Sequence, residues 1–217
     1  MRLDTVLEVQ RKELALFFSS PIGYLFLAAY VGFSLFVFFW GSAFFARNIA
    51  DVRPMFEQLP VLLIFLSAAL TMRMWSEERR SGTLEFMITV PSTTFELVAG
   101  KFLACWSLLG IALLLTMPLP LTVAFIGDLD WGPVFAGYIA AMFLGASYIS
   151  IGLFVSSKTS NQIVALLITC LIGGVLFGVG SSFALDLVSN TTAEFLRWLG
   201  TGSVSYTHLR AHETEAD

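Results

Sequence analysis

The sequence predicts an all-α fold, a polytopic bundle of helices that span a lipid bilayer, with an amphipathic helix at the N-terminus. Of its 217 residues, 57% are hydrophobic and 13% are charged, and the mean hydropathy is +0.81. A soluble domain carries about 25% charged residues, so a water-facing surface cannot be built from this composition. The apolar residues form long continuous runs without period-two alternation, which favours helices over transmembrane strands.

The first element is a helix that precedes the first apolar run. Its apolar side chains recur at helical spacing on one face, with Thr5 and charged residues opposite and Gln10 as the exception on the apolar side. The apolar set is Leu3, Val6, Leu7, Leu14, Phe17 and Phe18. A helix of this kind lies in the membrane interface rather than across the bilayer. Ser19-Ser20-Pro21 then turns the chain into the membrane, because proline disfavours helix at the residue before it.

Five charge-free runs follow, and each predicts a transmembrane helix. They are Tyr24–Phe45, Leu59–Met72, Phe102–Ile126, Trp131–Val155 and Ile163–Leu185. A helix rises about 1.5 Å per residue, so about 20 residues are needed to cross the hydrocarbon core. The second run is short, and we expect Met55, Phe56, Met74 and Trp75 to complete it while Glu57 and Arg73 extend toward the headgroups. Since the runs carry no charge, a proton or ion relay inside the membrane is disfavoured.

The distribution of Lys and Arg predicts that the N-terminus is cytoplasmic. Basic residues are retained on the cytoplasmic side of membrane proteins. This orientation places eight of them inside: Arg2, Arg11, Lys12, Arg73, Arg79, Arg80, Lys101 and Lys158. It leaves three outside before the tail: Arg47, Arg53 and Arg197.

Two of the predicted spans have special internal features. Pro118 and Pro120 lie in the third run and should kink or break its helix, because each removes a helix hydrogen bond. Gly137, Ala141 and Gly145 recur every four residues in the fourth run. Small residues at that spacing allow two helices to approach closely. The alternative is that glycine is simply common in membrane helices.

Several functional classes are disfavoured by what the sequence contains. The net charge is −4 with no basic stripe, so nucleic-acid binding is not expected. Cys105 and Cys170 have neither disulfide nor metal spacing, and His208 and His212 have no third ligand, so no metal or cofactor is expected. No glycine-rich phosphate loop occurs, and the chain is therefore predicted to have no ATPase activity of its own.

The segment between the second and third runs carries the strongest functional signal. Glu77 to Arg80 are predicted to continue the second helix, and Ser81-Gly82 to break it, because glycine ends helices readily. Thr83 to Val90 then form a short amphipathic helix that Pro91 stops. Thr93 and Glu96 fit a capping box that begins the next helix. An ordinary juxtamembrane connection would also explain this segment, so local chemistry leaves both interpretations open.

The segment Glu77-Glu78-Arg79-Arg80-Ser81-Gly82-Thr83-Leu84-Glu85, followed by Pro91 and Gly100-Lys101, resembles the motif of type-2 ABC exporter permeases. Arg11-Lys12-Glu13-Leu14 and Ser20-Pro21-Ile22-Gly23-Tyr24 resemble the start of the same family. Within it, the chain looks most like the gliding-motility permease subunit and the permeases of nitrous-oxide-reductase maturation. The resemblance covers roughly residues 1 to 200.

The resemblance implies a six-span permease of the bacterial cytoplasmic (inner) membrane that pairs with a second permease subunit, as a homodimer or heterodimer. Each pair would work with ATP-binding cassette subunits, and the segment between spans two and three would dock into them. Glu77 to Glu85, with Pro91, would then form the ATPase-coupling region, in which Arg79 and Arg80 help to anchor it. Residues 1–202 would be the permease domain, lacking the sixth span.

Residues 203–217 differ in kind from the rest and resemble translated adapter sequence, so we expect a non-native tail and a truncated permease.

Two other functions stay open. An intramembrane enzyme such as a protease or acyltransferase would need a nucleophile and a base at membrane depth, but Ser67, Ser107, Ser147 and Ser150 have no histidine beside them. A membrane scaffold that anchors an ATPase without transport is not separable from a permease by sequence.

Overall fold

The computed structural model of the chain describes residues 3–41, 52–83, 93–127 and 129–179. Within these ranges the structure is helical and contains no strand. The helices are α1 (Leu3–Ser19), α2 (Pro21–Phe36, extended by a π-helical turn Val37–Gly41), α3 (Arg53–Thr71), α4 (Ser76–Ser81), α5 (Thr94–Leu115), α6 (Pro118–Ile126), α7 (Trp131–Lys158) and α8 (Gln162–Val179). The all-α prediction is confirmed.

Among the described residues, five helical stretches are long and apolar enough to cross a membrane, as predicted. They are Gly23–Gly41, Arg53–Ser81, Thr94–Ile126, Trp131–Lys158 and Gln162–Val179. The second stretch comprises α3, a turn and α4, and the third comprises α5 and α6. The predicted tail at residues 203–217 lies outside the described residues, as does the end of the fifth apolar run beyond Val179.

The helix ends follow from local chemistry. α1 ends at Ser19 and α2 begins at Pro21, which confirms the predicted turn. The turn requires glycine at position 23, since an added Cβ would collide with the carbonyl oxygen and ring of Phe17. Gly82 ends α4 with φ 74°, a left-handed conformation that glycine adopts without strain.

The proline-containing third stretch breaks where expected. α5 ends at Leu115, and α6 begins at Pro118, whose missing N–H costs nothing at a first helical position. Thr116 supports the break: its hydroxyl donates to the carbonyl of Leu113 (2.7 Å) and pairs with the hydroxyl of Tyr138 (3.0 Å). The predicted kink is therefore confirmed as a short interruption between two helices.

The core of the bundle lies along α3. This helix packs most extensively against α7, with further contacts to α8, α2 and α5, whereas α1 lies against α5. Two-thirds of the α3 spanning window is buried, compared with 17% for α8. Large apolar side chains are exposed on the outer helices, among them Leu25, Phe33, Phe143, Leu167 and Leu171. Such surfaces suit lipid, because a membrane helix has no need to hide apolar groups from its solvent.

Candidate functional site

A buried cluster of charged groups joins three separate parts of the chain at one end of the bundle. We call this the α1 end, because α1 packs there, α5 begins there and α7 ends there. At its centre the side chain of Lys101 is only 1% exposed. Its ammonium donates to Glu13 Oε1 at 2.9 Å, to Glu78 Oε1 at 2.6 Å and to the carbonyl oxygen of Met74 at 2.8 Å. All three donors of the ammonium are therefore used.

Each member of this ionic cluster comes from a different element. Lys101 lies two turns into α5, Glu13 on α1 and Glu78 on α4, while Met74 belongs to the turn that follows α3. The cluster thus connects the surface helix, the end of the second spanning stretch and the start of the third. Moving one of these elements relative to another would break a short charge-assisted hydrogen bond.

Two local features place α5 so that Lys101 reaches its partners. The Thr93 hydroxyl accepts from the backbone N–H of Glu96 (3.3 Å), and the Glu96 carboxylate accepts from the N–H of Thr93 (3.1 Å). This reciprocal pair confirms the predicted capping box. One turn later, Gly100 allows α1 to approach, since a Cβ at this position would lie 2.6 Å from the Cβ of Val9.

The cluster contains two carboxylates and one ammonium. Glu13 is 8% exposed, and the Oε2 atom of Glu78 is buried without a hydrogen-bond partner among the described residues. The ring of Trp75 lies 4.9 Å from the Lys101 ammonium and supplies a cation–π contact. Burying charges is costly unless they are paired, so these three charged groups depend on one another for stability in this position.

Ser156 ties the end of α7 to the same turn. Its hydroxyl accepts from the backbone N–H groups of Trp75 (3.1 Å) and Ser76 (3.3 Å), and it donates to the carbonyl oxygen of Met72 (3.2 Å). The Ser76 hydroxyl also donates to the Met72 carbonyl. Backbone groups freed where α3 ends are thereby satisfied by a side chain of a neighbouring helix.

A second polar contact holds α1 against α5. Gln10, the polar exception on the apolar face of α1, donates from Nε2 to the hydroxyl of Ser107 at 2.8 Å. Val6 and Phe17 on the same face are buried, whereas Leu3 and Leu7 are largely exposed. The predicted apolar face therefore only partly coincides with the buried face, because α1 turns its polar Gln10 and Glu13 toward α5.

The predicted coupling residues lie around this cluster. Glu78 belongs to it, and Glu77 instead pairs with Arg73 at 3.7 Å on the surface. Arg79 and Arg80 are exposed on α4. The Ser81 hydroxyl donates to the carbonyl of Glu77 at 2.9 Å and pairs with the Thr83 hydroxyl, and Gly82 ends the helix. Leu84, Glu85 and Pro91 lie outside the described residues.

The three small residues predicted for helix packing lie on the inner side of α7. A Cβ on Gly137 would lie within 2.7 Å of ring carbons of Phe56 on α3, and one on Gly145 would collide with Leu109 on α5. Ala141, between them, is 5% exposed. Gly152, which the pattern did not include, is pressed against Thr71 in the same way.

The membrane-depth serines make ordinary helix contacts. Ser67, Ser107, Ser147 and Ser150 each donate to a backbone carbonyl three or four residues earlier. In the part of the chain that the structure describes, no group of three His, Cys, Asp or Glu side chains is arranged to hold a metal ion. The described site can therefore link helices mechanically, and it offers no nucleophile paired with a base.

Sequence reasoning did not assign Glu13, Lys101 and Ser156 to this site, although Glu13 and Lys101 stand in the segments that resemble the permease family. Glu13 lies four residues before Phe17 and seven after Val6, so a carboxylate stood in the middle of the apolar stripe of α1. A charged residue at that position was the sequence signal from which the burial of Glu13 could have been predicted. Lys101 was counted as a basic flank of a span beginning at residue 102, but the capped helix begins at Thr94 and carries Lys101 into the buried part of the bundle. Ser156 had no distinguishing sequence feature.

The chain matches a known family of membrane proteins. A family model described as "ABC-2 family transporter protein" matches residues 55–212, which is more than half of the chain. The matched range includes most of the described helices and runs into the segment from residue 203, whose non-native origin stays a prediction. No curated protein matches the chain.

Proposed function

The chain belongs to the ABC-2 transporter family, and from that premise we propose that it couples ATP hydrolysis by a separate ATP-binding subunit to export. The family assignment makes the chain the membrane subunit of an ABC transporter. The proposed coupling passes through the ionic cluster of Glu13, Glu78 and Lys101. A push on the segment after α4 would then move α1, α3 and α5 as one body.

The observation that carries this proposal is the complete use of the Lys101 ammonium by three separate elements. Of its acceptors, Met74 precedes the predicted coupling segment and Glu78 lies near its N-terminal end, and Lys101 follows the segment on its C-terminal side. The segment is thus anchored at both ends to one buried point. A rigid anchor transmits displacement as a rigid-body movement, whereas a flexible connection would absorb it.

Within this proposal the α1 end of the bundle faces the cytoplasm. The positive-inside distribution of Lys and Arg supports this orientation, and it places Arg79 and Arg80 where an ATP-binding subunit would approach. The membrane would be the bacterial cytoplasmic (inner) membrane. The motif resemblance described above supports three finer parts of the proposal. These are the pairing with a second permease subunit, the six-span pattern of the family, and the closer kinship with gliding-motility and nitrous-oxide-reductase-maturation permeases.

Docking and transmission are tested separately. Replacing Gly82-Thr83-Leu84-Glu85 with a flexible polar linker should abolish co-purification of a co-expressed ATP-binding subunit while membrane insertion persists. Co-purification at the wild-type level would contradict docking through this segment. The matched control is a flexible linker of equal length in place of residues 159–162, which are the connection between α7 and α8 and the first residue of α8.

Transmission is tested with a variant that removes every charge of the cluster, Glu13→Gln/Glu78→Gln/Lys101→Met. It should still bind the ATP-binding subunit, because the stretch Gly82-Thr83-Leu84-Glu85, which the docking test replaces, is unchanged. We expect it to lose ATP-dependent flux in proteoliposomes, because the charge-assisted bonds that join α1, α4 and α5 are gone. Flux at the wild-type rate would contradict transmission through the cluster and leave docking unaffected.

A scaffold that anchors an ATP-binding subunit without transporting is the second candidate. The same buried anchor favours it, because firm attachment requires rigidity as much as transmission does. The two functions differ in one measurement. A wild-type complex that binds and hydrolyses ATP in proteoliposomes, but moves no substrate with or without ATP, would favour the scaffold.

A further inference from the structure

We infer that the groove between α5 and α7 at the α1 end binds an anionic phospholipid from the adjoining membrane leaflet. The groove has a volume of about 950 Å³ and is lined by the first turns of α5 and the last turns of α7, with Trp75 and Arg79 beside them. This volume is near the top of the range of about 300–1,000 Å³ for ligand sites. Trp75 also contacts the ammonium of Lys101, but none of the three charged residues of the ionic cluster lines the groove.

The walls of the groove are those of an acyl-chain site. Aromatic and aliphatic side chains line both helices, and Phe95, Val98 and Phe154 are 40–65% exposed. These residues belong to helical stretches that are long and apolar enough to cross a membrane, and exposed apolar side chains on such helices suit contact with lipid. The lining extends along α5 from Thr94 to Leu103, which is about 15 Å of helix and half of a hydrocarbon core about 30 Å thick. The groove is therefore about as long as one leaflet is thick, which is the length that an acyl chain needs.

The mouth of the groove carries positive charge. Arg79 and Lys158 both line it, both are exposed, and neither makes an ion pair within the described ranges. Lys158 is the last residue of α7, and its ammonium lies 5.6 Å from the ring centroid of Phe154. No acidic side chain lines the groove among the described residues. Two cations above an apolar slot match a phosphate headgroup above acyl chains.

A phospholipid fits these observations better than a protein partner. A docking helix would bring polar backbone ends to the lower half of the groove, where the lining is apolar apart from Ser150, whose hydroxyl already donates to the carbonyl of Ala146. A free phosphate would use the two cations but leave the apolar walls unfilled. Only a molecule with an anionic head and an apolar body uses the whole length of the groove.

The test is titration of the full chain, in a neutral detergent, with phosphatidylglycerol and with phosphatidylcholine of the same acyl chains, followed by native mass spectrometry. We expect tighter binding of phosphatidylglycerol. Each cation near an anionic lipid is worth about a fivefold change in affinity, so Arg79→Gln/Lys158→Gln should weaken it about 25-fold. The matched control is Arg11→Gln/Lys12→Gln, which removes one Arg and one Lys exposed on α1, away from the groove.

Three further arms identify the occupant. Phe154→Ala should weaken binding of both lipids, whereas Phe143→Ala, an equally exposed phenylalanine of α7 outside the groove, should not. Soluble glycerol phosphate should fail to compete, because it lacks acyl chains. A photoreactive phosphatidylglycerol should label the groove residues both in the chain alone and in its complex with an ATP-binding subunit.

The proposal is wrong if phosphatidylglycerol binds no tighter than phosphatidylcholine, or if the two double variants weaken it equally, since either result means unspecific attraction. Competition by glycerol phosphate would instead assign a free-phosphate site. Loss of labelling when the ATP-binding subunit associates would assign the groove to a protein partner and overturn the lipid assignment.

Discussion

Replacing Lys101 with methionine is the sharpest perturbation that the structure suggests. Methionine keeps an unbranched apolar stem of similar length and removes only the ammonium, so the change is mainly electrostatic. Three acceptors lose their donor at once: the carboxylates of Glu13 and Glu78 and the carbonyl of Met74. These groups are largely buried, so water cannot easily replace the lost hydrogen bonds.

The expected loss of stability follows from the distances. The two carboxylate oxygens lie 2.9 and 2.6 Å from the ammonium, so they are at most about 5.5 Å apart, where two like charges repel by about 3 kcal/mol at an effective dielectric constant of 20. Removing one partner of a buried ion pair costs about 3–5 kcal/mol in soluble proteins. The two figures describe overlapping effects, and we expect Lys101→Met to lower the free energy of unfolding by about 3–5 kcal/mol.

The assay is equilibrium unfolding of the full chain in mixed micelles, followed by circular dichroism. The control removes the stranded charges as well: Glu13→Gln/Glu78→Gln/Lys101→Met should recover most of the loss, because a neutral replacement of a buried ionic group is often tolerated. If Lys101→Met unfolds at the wild-type midpoint, or the neutral triple variant is no more stable than the single variant, the buried-cluster reasoning is refuted.

Three smaller perturbations test the surroundings of the cluster in the same unfolding assay. Gly100→Ala should cost about 1–3 kcal/mol and make α1 accessible to protease, because the new methyl group displaces α1 from α5, whereas Gly174→Ala meets no neighbour and should be neutral. Ser156→Ala should cost about 2 kcal/mol by leaving two backbone N–H groups unsatisfied, and Ser157→Ala, whose hydroxyl bonds only within its own helix, should cost much less. Thr93→Ala should cost about 1 kcal/mol through loss of the N-cap, and an unchanged midpoint would mean that tertiary contacts alone set the start of α5.

Much of the architecture was predictable because it depends on neighbours in the chain. Apolar runs of sufficient length predicted the five spanning stretches, and proline and glycine predicted where helices end. The capping box at Thr93 and Glu96 was predicted for the same reason, since both partners lie within one helical turn. The coupling role of Glu77 to Pro91 and the packing role of Gly137, Ala141 and Gly145 stay predictions.

The candidate site was predictable only in part. Glu78 was assigned to the site because it lies in the predicted coupling region. Glu13 and Lys101 stand in other segments that resemble the family, but neither has a partner nearby in the sequence that would mark it as part of the site. Gln10 was noted as an exception on its helix face, and its contact with Ser107 explains that exception. Each of these contacts depends on how α1 turns as it lies against α5, and the amphipathic pattern of α1 did not determine that rotation.

Composition and run length alone placed this chain in a membrane, because the cost of leaving so many apolar side chains in water does not depend on how the helices are arranged. Tertiary structure decided which charges are buried. Lys101 meets Glu13 across 88 residues of sequence, and Glu78 across 23, and these contacts exist only once α1, α4 and α5 have packed together. In the linear sequence Lys101 has the pattern of a basic residue flanking a span, and only the packed helices make it the buried link between them.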